Sequence, residues 1–130
     1  KIPNKIIVGC DTIILFNKEI IQKAKNIKGA QNKLLKLSGK KHKIISSVSV
    51  YKNKTKMWEH TQTTTVEIRK LSKKQIQNYL RFCGKEILNS VGCYQIEAAG
   101  PMVIKKIYGD FFNVMGFPLA KFWKEITELR

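Results

Sequence analysis

The chain has 130 residues, and 25 lysines and arginines against 9 aspartates and glutamates give it a formal charge of +16. This length holds one domain and excludes a second independent one, while 43% hydrophobic residues exclude a disordered polycation. No apolar run reaches the roughly 20 residues of a membrane helix, the opening Lys1-Ile2-Pro3-Asn4-Lys5 is not a signal peptide, and Cys10, Cys83 and Cys93, without CxxC spacing, support neither a disulfide framework nor a structural zinc. The expectation is a soluble, intracellular single domain over residues 1–130.

The sign of the charge favours partners that carry phosphate, whether nucleotides, nucleic acid or an anionic membrane. Only three of the cations are arginine, Arg69, Arg81 and Arg130. Readers of base edges rely on arginine's bidentate fork, so a sequence-specific nucleic-acid reader is disfavoured. The lysines are also dispersed: Lys18, Lys23, Lys25, Lys28, Lys33 and Lys36 dot a helical stretch, and Lys52, Lys54 and Lys56 crowd a turn. Most of them read as decoration of solvated faces.

Ile6-Ile7-Val8-Gly9-Cys10 and Thr12-Ile13-Ile14-Leu15-Phe16, on either side of Asp11, are apolar and β-branched and read as two short strands, the second turning at Asn17-Lys18 into Glu19-Ile20-Ile21. Asn26 is an N-cap ahead of Ile27, Ala30, Leu34 and Leu37, whose spacing of three and four predicts an amphipathic helix stopped at Ser38-Gly39. From Lys43 to Tyr51, Ile44, Ser46, Val48 and Val50 alternate with Ile45, Ser47 and Ser49. This predicts a strand, a hairpin tip at Lys52-Asn53-Lys54 and a return strand from Met57 to Arg69. Ser72-Lys73-Lys74-Gln75 has the form of a capping box for a helix with Ile76, Tyr79, Leu80 and Cys83 on one face and Gly84 at its end. Residues 85–100 are irregular and glycine-punctuated, a closely packed loop. Pro101 to Tyr108 reads as a strand, Gly109-Asp110 as a turn, and Pro118 as the opening of a last helix with Leu119, Phe122, Trp123 and Ile126 inward. This order of elements predicts an α/β domain with a mixed β-sheet flanked by helices.

Aspartate occurs only as Asp11 and Asp110, each read as lying in a loop or at a strand end. A carboxylate at the end of a buried strand suits a metal ligand or a general base, because the sheet holds it in place while the strand end opens on a cleft. The plainer alternative for Asp11 is a turn or cap residue, and Gly109-Asp110 is ordinary turn chemistry. Walker-type, dinucleotide-binding and zincin motifs are absent. Cys10 lies in an apolar run and reads as a buried, inert thiol, and neither His42 nor His60 has a recognisable partner.

Five segments, in order, carry a family resemblance: Val8-Gly9-Cys10-Asp11-Thr12-Ile13-Ile14; Glu19-Ile20-Ile21-Gln22-Lys23; Leu37-Ser38-Gly39-Lys40-Lys41-His42; Gly92-Cys93-Tyr94-Gln95-Ile96-Glu97; and Gly109-Asp110-Phe111-Phe112-Asn113-Val114-Met115-Gly116-Phe117-Pro118-Leu119. Together they resemble the Maf family of nucleoside triphosphate pyrophosphatases, over nearly the whole chain. The resemblance implies a Maf/ITPase-like fold in a cytoplasmic homodimer. It also implies hydrolysis of a nucleoside triphosphate between the α and β phosphates, giving monophosphate and pyrophosphate with a divalent cation, Mg²⁺ or Mn²⁺. Such enzymes police non-canonical nucleotides as a house-cleaning activity and are linked to septum formation.

Carried over by position, Asp11 matches the catalytic proton acceptor and a metal ligand, and Thr12 a position tied to substrate choice. Lys23 matches the lysine of a Gly-Lys-Pro segment, here Gln22-Lys23-Ala24. Such a carboxylate can deprotonate the attacking water and such a lysine can offset polyphosphate charge. Glu97 falls where members acting on thymidine or uridine triphosphates carry glutamine and a subgroup acting on 7-methyl-GTP carries glutamate. A carboxylate accepts from the N1–H and N2–H₂ of a guanine edge and repels a pyrimidine O4, so a guanine-type base such as that of 7-methyl-GTP is favoured over dTTP and UTP. The alternative for Glu97 is a solvent-facing loop residue.

The family opens with a strand and a Ser-x-Ser-Pro-Arg-Arg loop that contacts the phosphates, and residues 1 to 10 carry no counterpart. The expectation is an N-terminally truncated domain that hydrolyses little alone, within an active parent. Two readings compete: a basic module that binds nucleic acid without chemistry, with affinity falling steeply with salt, and a non-catalytic relative kept for a division-linked interaction. Neither nucleic acid nor membrane is the expected partner; a nucleoside triphosphate is.

Overall fold

The computed structural model describes residues 5–90, 92, 94, 99–110, 113, 122–124 and 127. The first strand, β1, runs unbroken over Ile6–Phe16, so the two short strands expected on either side of Asp11 are one. Pairing is the reason: every residue from Ile6 to Leu15 is in register with β3 (Lys41–Lys52), from Ile6 opposite Lys52 to Leu15 opposite Lys43, and such a ladder carries a residue of poor strand propensity such as Asp11.

β1 turns at Asn17-Lys18 into β2 (Glu19–Ile21), and β3 turns at Asn53-Lys54 into β4 (Thr55–Ile68). Both turns place Asn and Lys at positive φ, 49° and 66° in the first and 51° and 68° in the second. Two successive left-handed residues match a two-residue loop to the twist of its strands. With β5 (Ile104–Tyr108) the sheet order is β2-β1-β3-β4-β5. The α/β class expected from the sequence is what forms, but every described ladder is antiparallel where a mixed sheet was expected. The helical crossover from β2 to β3 does join two strands of the same direction. β1 lies between them, so no parallel ladder results.

Helix α1 (Ile27–Leu37) starts where the side chain of Asn26 accepts from the Gly29 amide at 2.8 Å, satisfying one of the unpaired donors of a first turn. It stops at Ser38, before Gly39 at φ 71°, a conformation glycine adopts without a Cβ penalty. Ser38 Oγ accepts from the Leu71 amide at 2.7 Å and so ties the helix end to the segment leaving β4. Helix α2 (Lys73–Cys83) has the expected capping box: Ser72 Oγ accepts from the Gln75 amide at 3.1 Å, and Gln75 Oε1 from the Ser72 amide at 2.8 Å.

Ala30, Leu34 and Leu37 of α1 and Ile76, Tyr79 and Leu80 of α2 form one core with Ile14, Phe16, Ile44, Val66 and Ile68 of the sheet. The helical stripes recur every three or four residues and the sheet residues every second one, so a single face of each element is committed to the core. Burying one of these large aliphatic side chains contributes about 1.5–3 kcal/mol. On the opposite face of the sheet, Ile13, Leu15, Ile45, Ser47, Thr61 and Thr63 are half-buried or exposed.

Past α2 the chain continues as a 3₁₀ segment, Gly84–Asn89, with Ile87 buried, where an irregular loop was expected. A second 3₁₀ segment, Gly100–Met102, takes the front of the expected strand, since Pro101 has no amide to give a ladder; β5 begins only at Ile104. Of the expected last helix, Pro118, Leu119 and Ile126 lie outside the described residues. Trp123, expected inward, is 63% exposed, because successive helical residues are about 100° apart and half-buried Phe122 takes the inner side. Among the described residues no helix is long and apolar enough to cross a membrane.

Candidate active site

β2 pairs only with Ile14, Leu15 and Phe16 of β1. Ahead of Ile14, the outer edge of β1 meets no strand among the described residues, and the chain leaving β2 passes this notch as Gln22-Lys23-Ala24-Lys25. Ile21 and Ala24 are buried and anchor the segment, which leaves Gln22, Lys23 and Lys25 exposed at the rim. The notch is a cleft of about 720 Å³, lined from β1 by Asp11, Thr12 and Ile13 and from β2 and its exit by Ile20, Gln22, Lys23 and Lys25.

The structure thus brings together three residues singled out from the sequence: Asp11, Thr12 and Lys23. Asp11 lies in the middle of β1, opposite Ser47, and not in a loop or at a strand end as expected. It opens on the cleft all the same, because β2 stops short of it, and its side chain is exposed. A carboxylate turned into the core would have been removed from chemistry. A second cavity, of about 500 Å³ between α1 and α2, is lined by Gln31, Gln77, Arg81 and Lys85 among others and has no carboxylate on its wall among the described residues.

Thr12 points to the face opposite Asp11, as successive strand residues do, and its hydroxyl lies 3.1 Å from Ser46 Oγ, its register partner on β3. Fully buried Ser46 donates to the Asn113 carbonyl at 3.5 Å. Asn113, also fully buried, donates through Nδ2 to the Gln62 carbonyl and to Thr64 Oγ1, both at 3.0 Å. Gln62 Nε2 donates to the Asp110 carboxylate at 3.2 Å. Asp110 therefore does more than shape a turn: it ties the exit of β5 to β4.

Cys10 is exposed, where a buried thiol was expected. Residues Ile6 to Asp11 are all exposed, for the same reason that the cleft exists: β2 does not reach them. Partial desolvation, reinforced by the Asp11 charge, still pushes the Cys10 thiol above its ordinary pKa, so the unreactive thiol dominates at neutral pH. His42, expected to lack a partner, is buried with Nε2 2.6 Å from the Tyr94 hydroxyl, and burial lowers its pKa to about 4. Burial likewise pushes the Tyr94 hydroxyl up. His60 lies 3.1 Å from Gln62 Oε1 and stacks on Trp58. Neither histidine is among the residues lining the cleft. Glu97, the expected reader of the base, lies outside the described residues, as does Cys93.

Among the described residues no group of three or more His, Cys, Asp and Glu side chains is placed to hold a metal ion. Among the described residues the cleft wall offers one carboxylate, Asp11. A hard divalent cation keeps several waters and binds through one or two carboxylates plus substrate phosphates, so this donor set fits a cation that arrives with a polyphosphate. Sequence reasoning did not single out Ser46, Asn113 or Lys25. Ser46 left a signal: it is a serine in the buried phase of an alternation that otherwise reads Ile44, Val48, Val50.

Comparison with known proteins finds that the profile of the family described as Maf-like protein matches residues 1–129. The chain is 39% identical over 129 residues to a 7-methyl-GTP pyrophosphatase of Bartonella quintana (strain Toulouse), covering 99% of this chain and 65% of that protein. A 7-methyl-GTP pyrophosphatase of Bartonella henselae is 38% identical over 119 residues, covering 92% of this chain and 60% of its own length. A dTTP/UTP pyrophosphatase of Aquifex aeolicus (strain VF5) is 35% identical over 124 residues, covering 95% and 64%. The chain thus spans less than two thirds of the length of these relatives.

Proposed function

The chain belongs to the Maf family, and from that premise we propose that the Asp11 cleft hydrolyses nucleoside triphosphates to monophosphate and pyrophosphate. The observation that carries this reading is the meeting of Asp11, Thr12 and Lys23 on one cleft. Asp11 takes the proton of the attacking water, the contribution of a positioned base. Lys23, with Lys25 beside it at the rim, offsets charge on the polyphosphate and on the leaving pyrophosphate. Asp11 and the substrate phosphates would together hold Mg²⁺ or Mn²⁺, and when bound the cation polarises the phosphoryl oxygens.

For the base, a guanine-type ring such as that of 7-methyl-GTP is favoured over dTTP or UTP. The support is the carboxylate of Glu97, which matches the donors of a guanine edge; the names of the relatives include both preferences.

The test is release of pyrophosphate and monophosphate from 7-methyl-GTP, GTP, UTP and dTTP, with Mg²⁺ or Mn²⁺, by the protein with whatever coding sequence precedes Lys1. The expected result is turnover with the highest kcat/KM on 7-methyl-GTP. A preference for UTP or dTTP overturns the base assignment, and no turnover of any triphosphate, or release of phosphate in place of pyrophosphate, overturns the reaction.

A further inference from the structure

The cavity between α1 and α2 shares no lining residue with the Asp11 cleft, and its walls follow from helical spacing. Ile27 and Gln31 stand one turn apart on α1, and Gln77, Leu80 and Arg81 stand three and four residues apart on α2, so each helix turns one side of its surface to the same space. Helix α2 then ends at Gly84, φ 72°, a conformation glycine adopts at no steric cost, and the next residue, Lys85, completes the lining.

Three kinds of surface meet there. The apolar part is Leu80, 2% exposed, with half-buried Ile27. The amide part is Gln31 and Gln77, linked across the helices by a long bond of 3.4 Å from Gln77 Nε2 to Gln31 Oε1. A primary amide has two donor hydrogens and two acceptor lone pairs, so both side chains keep the capacity to donate and to accept. The charged part is Arg81 and Lys85, both exposed. Among the described residues the wall has no carboxylate, and the ion pairs, Lys36–Glu19, Lys56–Glu59 and Lys105–Glu67, leave both cations out. Arg81 is one of only three arginines in the chain and brings a planar fork that engages two phosphate oxygens at once, with the lysine as a point charge alongside.

We propose that this cavity is a second nucleotide site, which takes a nucleoside monophosphate: phosphate on Arg81 and Lys85, the edge of the base on the amides of Gln31 and Gln77, and the ring against Leu80 and Ile27. Its volume of about 500 Å³ suits such a ligand, within the roughly 300–1,000 Å³ of small-molecule sites. A bare phosphate would leave the apolar part and both amides unused, and an uncharged nucleoside would leave the cations unused, so either half alone binds more weakly than the whole. Without a carboxylate to activate water on the described wall, the site binds and does not hydrolyse. The inference is independent of the pyrophosphatase reading.

The experiment is calorimetric titration, without divalent metal, of guanosine monophosphate, guanosine and inorganic phosphate into the protein with whatever coding sequence precedes Lys1, and into Arg81→Gln, Lys85→Gln and Lys23→Gln. Arg81 and Lys85 are exposed, so their variants should melt at the wild-type temperature. Guanosine monophosphate should bind at least about tenfold more tightly than guanosine or phosphate, and Arg81→Gln should raise its Kd roughly ten- to hundredfold, the effect of losing a charge-assisted contact. Lys85→Gln should raise it severalfold, and Lys23→Gln, in the other cleft, should leave this Kd unchanged. Triphosphate turnover by Arg81→Gln should match the wild type. A Kd unmoved by Arg81→Gln but raised by Lys23→Gln places the ligand in the Asp11 cleft and overturns the proposal. Monophosphate binding no tighter than that of inorganic phosphate, the mark of an unselective basic patch, overturns it too, as does no binding of the monophosphate at about 1 mM. Absence of triphosphate turnover in the unsubstituted protein defeats the pyrophosphatase reading and leaves these binding outcomes to decide this site.

Discussion

Acid should weaken this fold through one histidine. His42 is 2% exposed, its Nε2 against the Tyr94 hydroxyl and its Nδ1 without a partner among the described residues, and burial lowers its pKa from 6.5 to about 4. In the folded chain the ring therefore stays neutral down to about pH 4, whereas the unfolded chain takes up a proton below about pH 6.5. Between those values the unfolded state binds the extra proton, so stability falls as pH falls, by about 1.4 kcal/mol per pH unit, and levels off near pH 4. The total, about 3 kcal/mol, is a large share of the roughly 5–15 kcal/mol that holds an ordinary domain together. Glu67 also weakens the fold in acid, since its pKa is held low, first by the Tyr108 hydroxyl and then by Lys105. A non-titrating variant separates the two. Urea unfolding of the wild type and of His42→Gln, from about pH 7 down to about pH 4.5, should show the wild type losing about 2 to 3 kcal/mol more than the variant. Parallel pH profiles for the two proteins would refute the assignment.

Other consequences concern packing, capping and charge. Gly92→Ala should destabilise by about 1–3 kcal/mol, read by urea unfolding, because a Cβ there would lie 2.5 Å from a ring carbon of Tyr94 and 2.9 Å from Ile14 Cδ1, so that buried neighbours must shift to admit it. Ser72→Ala removes one half of the capping box of α2 and should cost about 1 kcal/mol in the same assay. Lys23→Gln, at the exposed rim of the cleft, should raise KM for a triphosphate by about tenfold, the size of one charge-assisted contact, with melting temperature unchanged; an unchanged KM would remove Lys23 from the site.

Much of the fold was legible because local rules and tertiary packing agree. The alternation through Ile44, Ser46, Val48 and Val50, the stripe of Ala30, Leu34 and Leu37, and the Ser72-Gln75 box each form where the sequence places them. The departures come from partners that no local window contains. Asp11 is mid-strand because β3 pairs across it, and Cys10 is exposed because β2 ends after three residues and leaves the front of β1 uncovered. Lys23 and Asp11 could be named from the sequence, but their shared cleft could not, since it depends on how far a short strand extends. The pairing of His42 with Tyr94 joins positions 52 residues apart, and neither residue carries a local sign of it. The reach of Asn113 to Ser46, across 67 residues, was equally hidden.

Replacing Asp11 with asparagine, at an exposed strand position where shape and fold are kept, tests the central claim most directly. The account predicts that Asp11→Asn lowers kcat for pyrophosphate release by about 10²–10⁴-fold, the range for losing a positioned base, while urea unfolding stays within about 0.5 kcal/mol of the wild type. Hydrolysis at the wild-type rate by a folded Asp11→Asn protein would contradict it, and would move the chemistry out of this cleft.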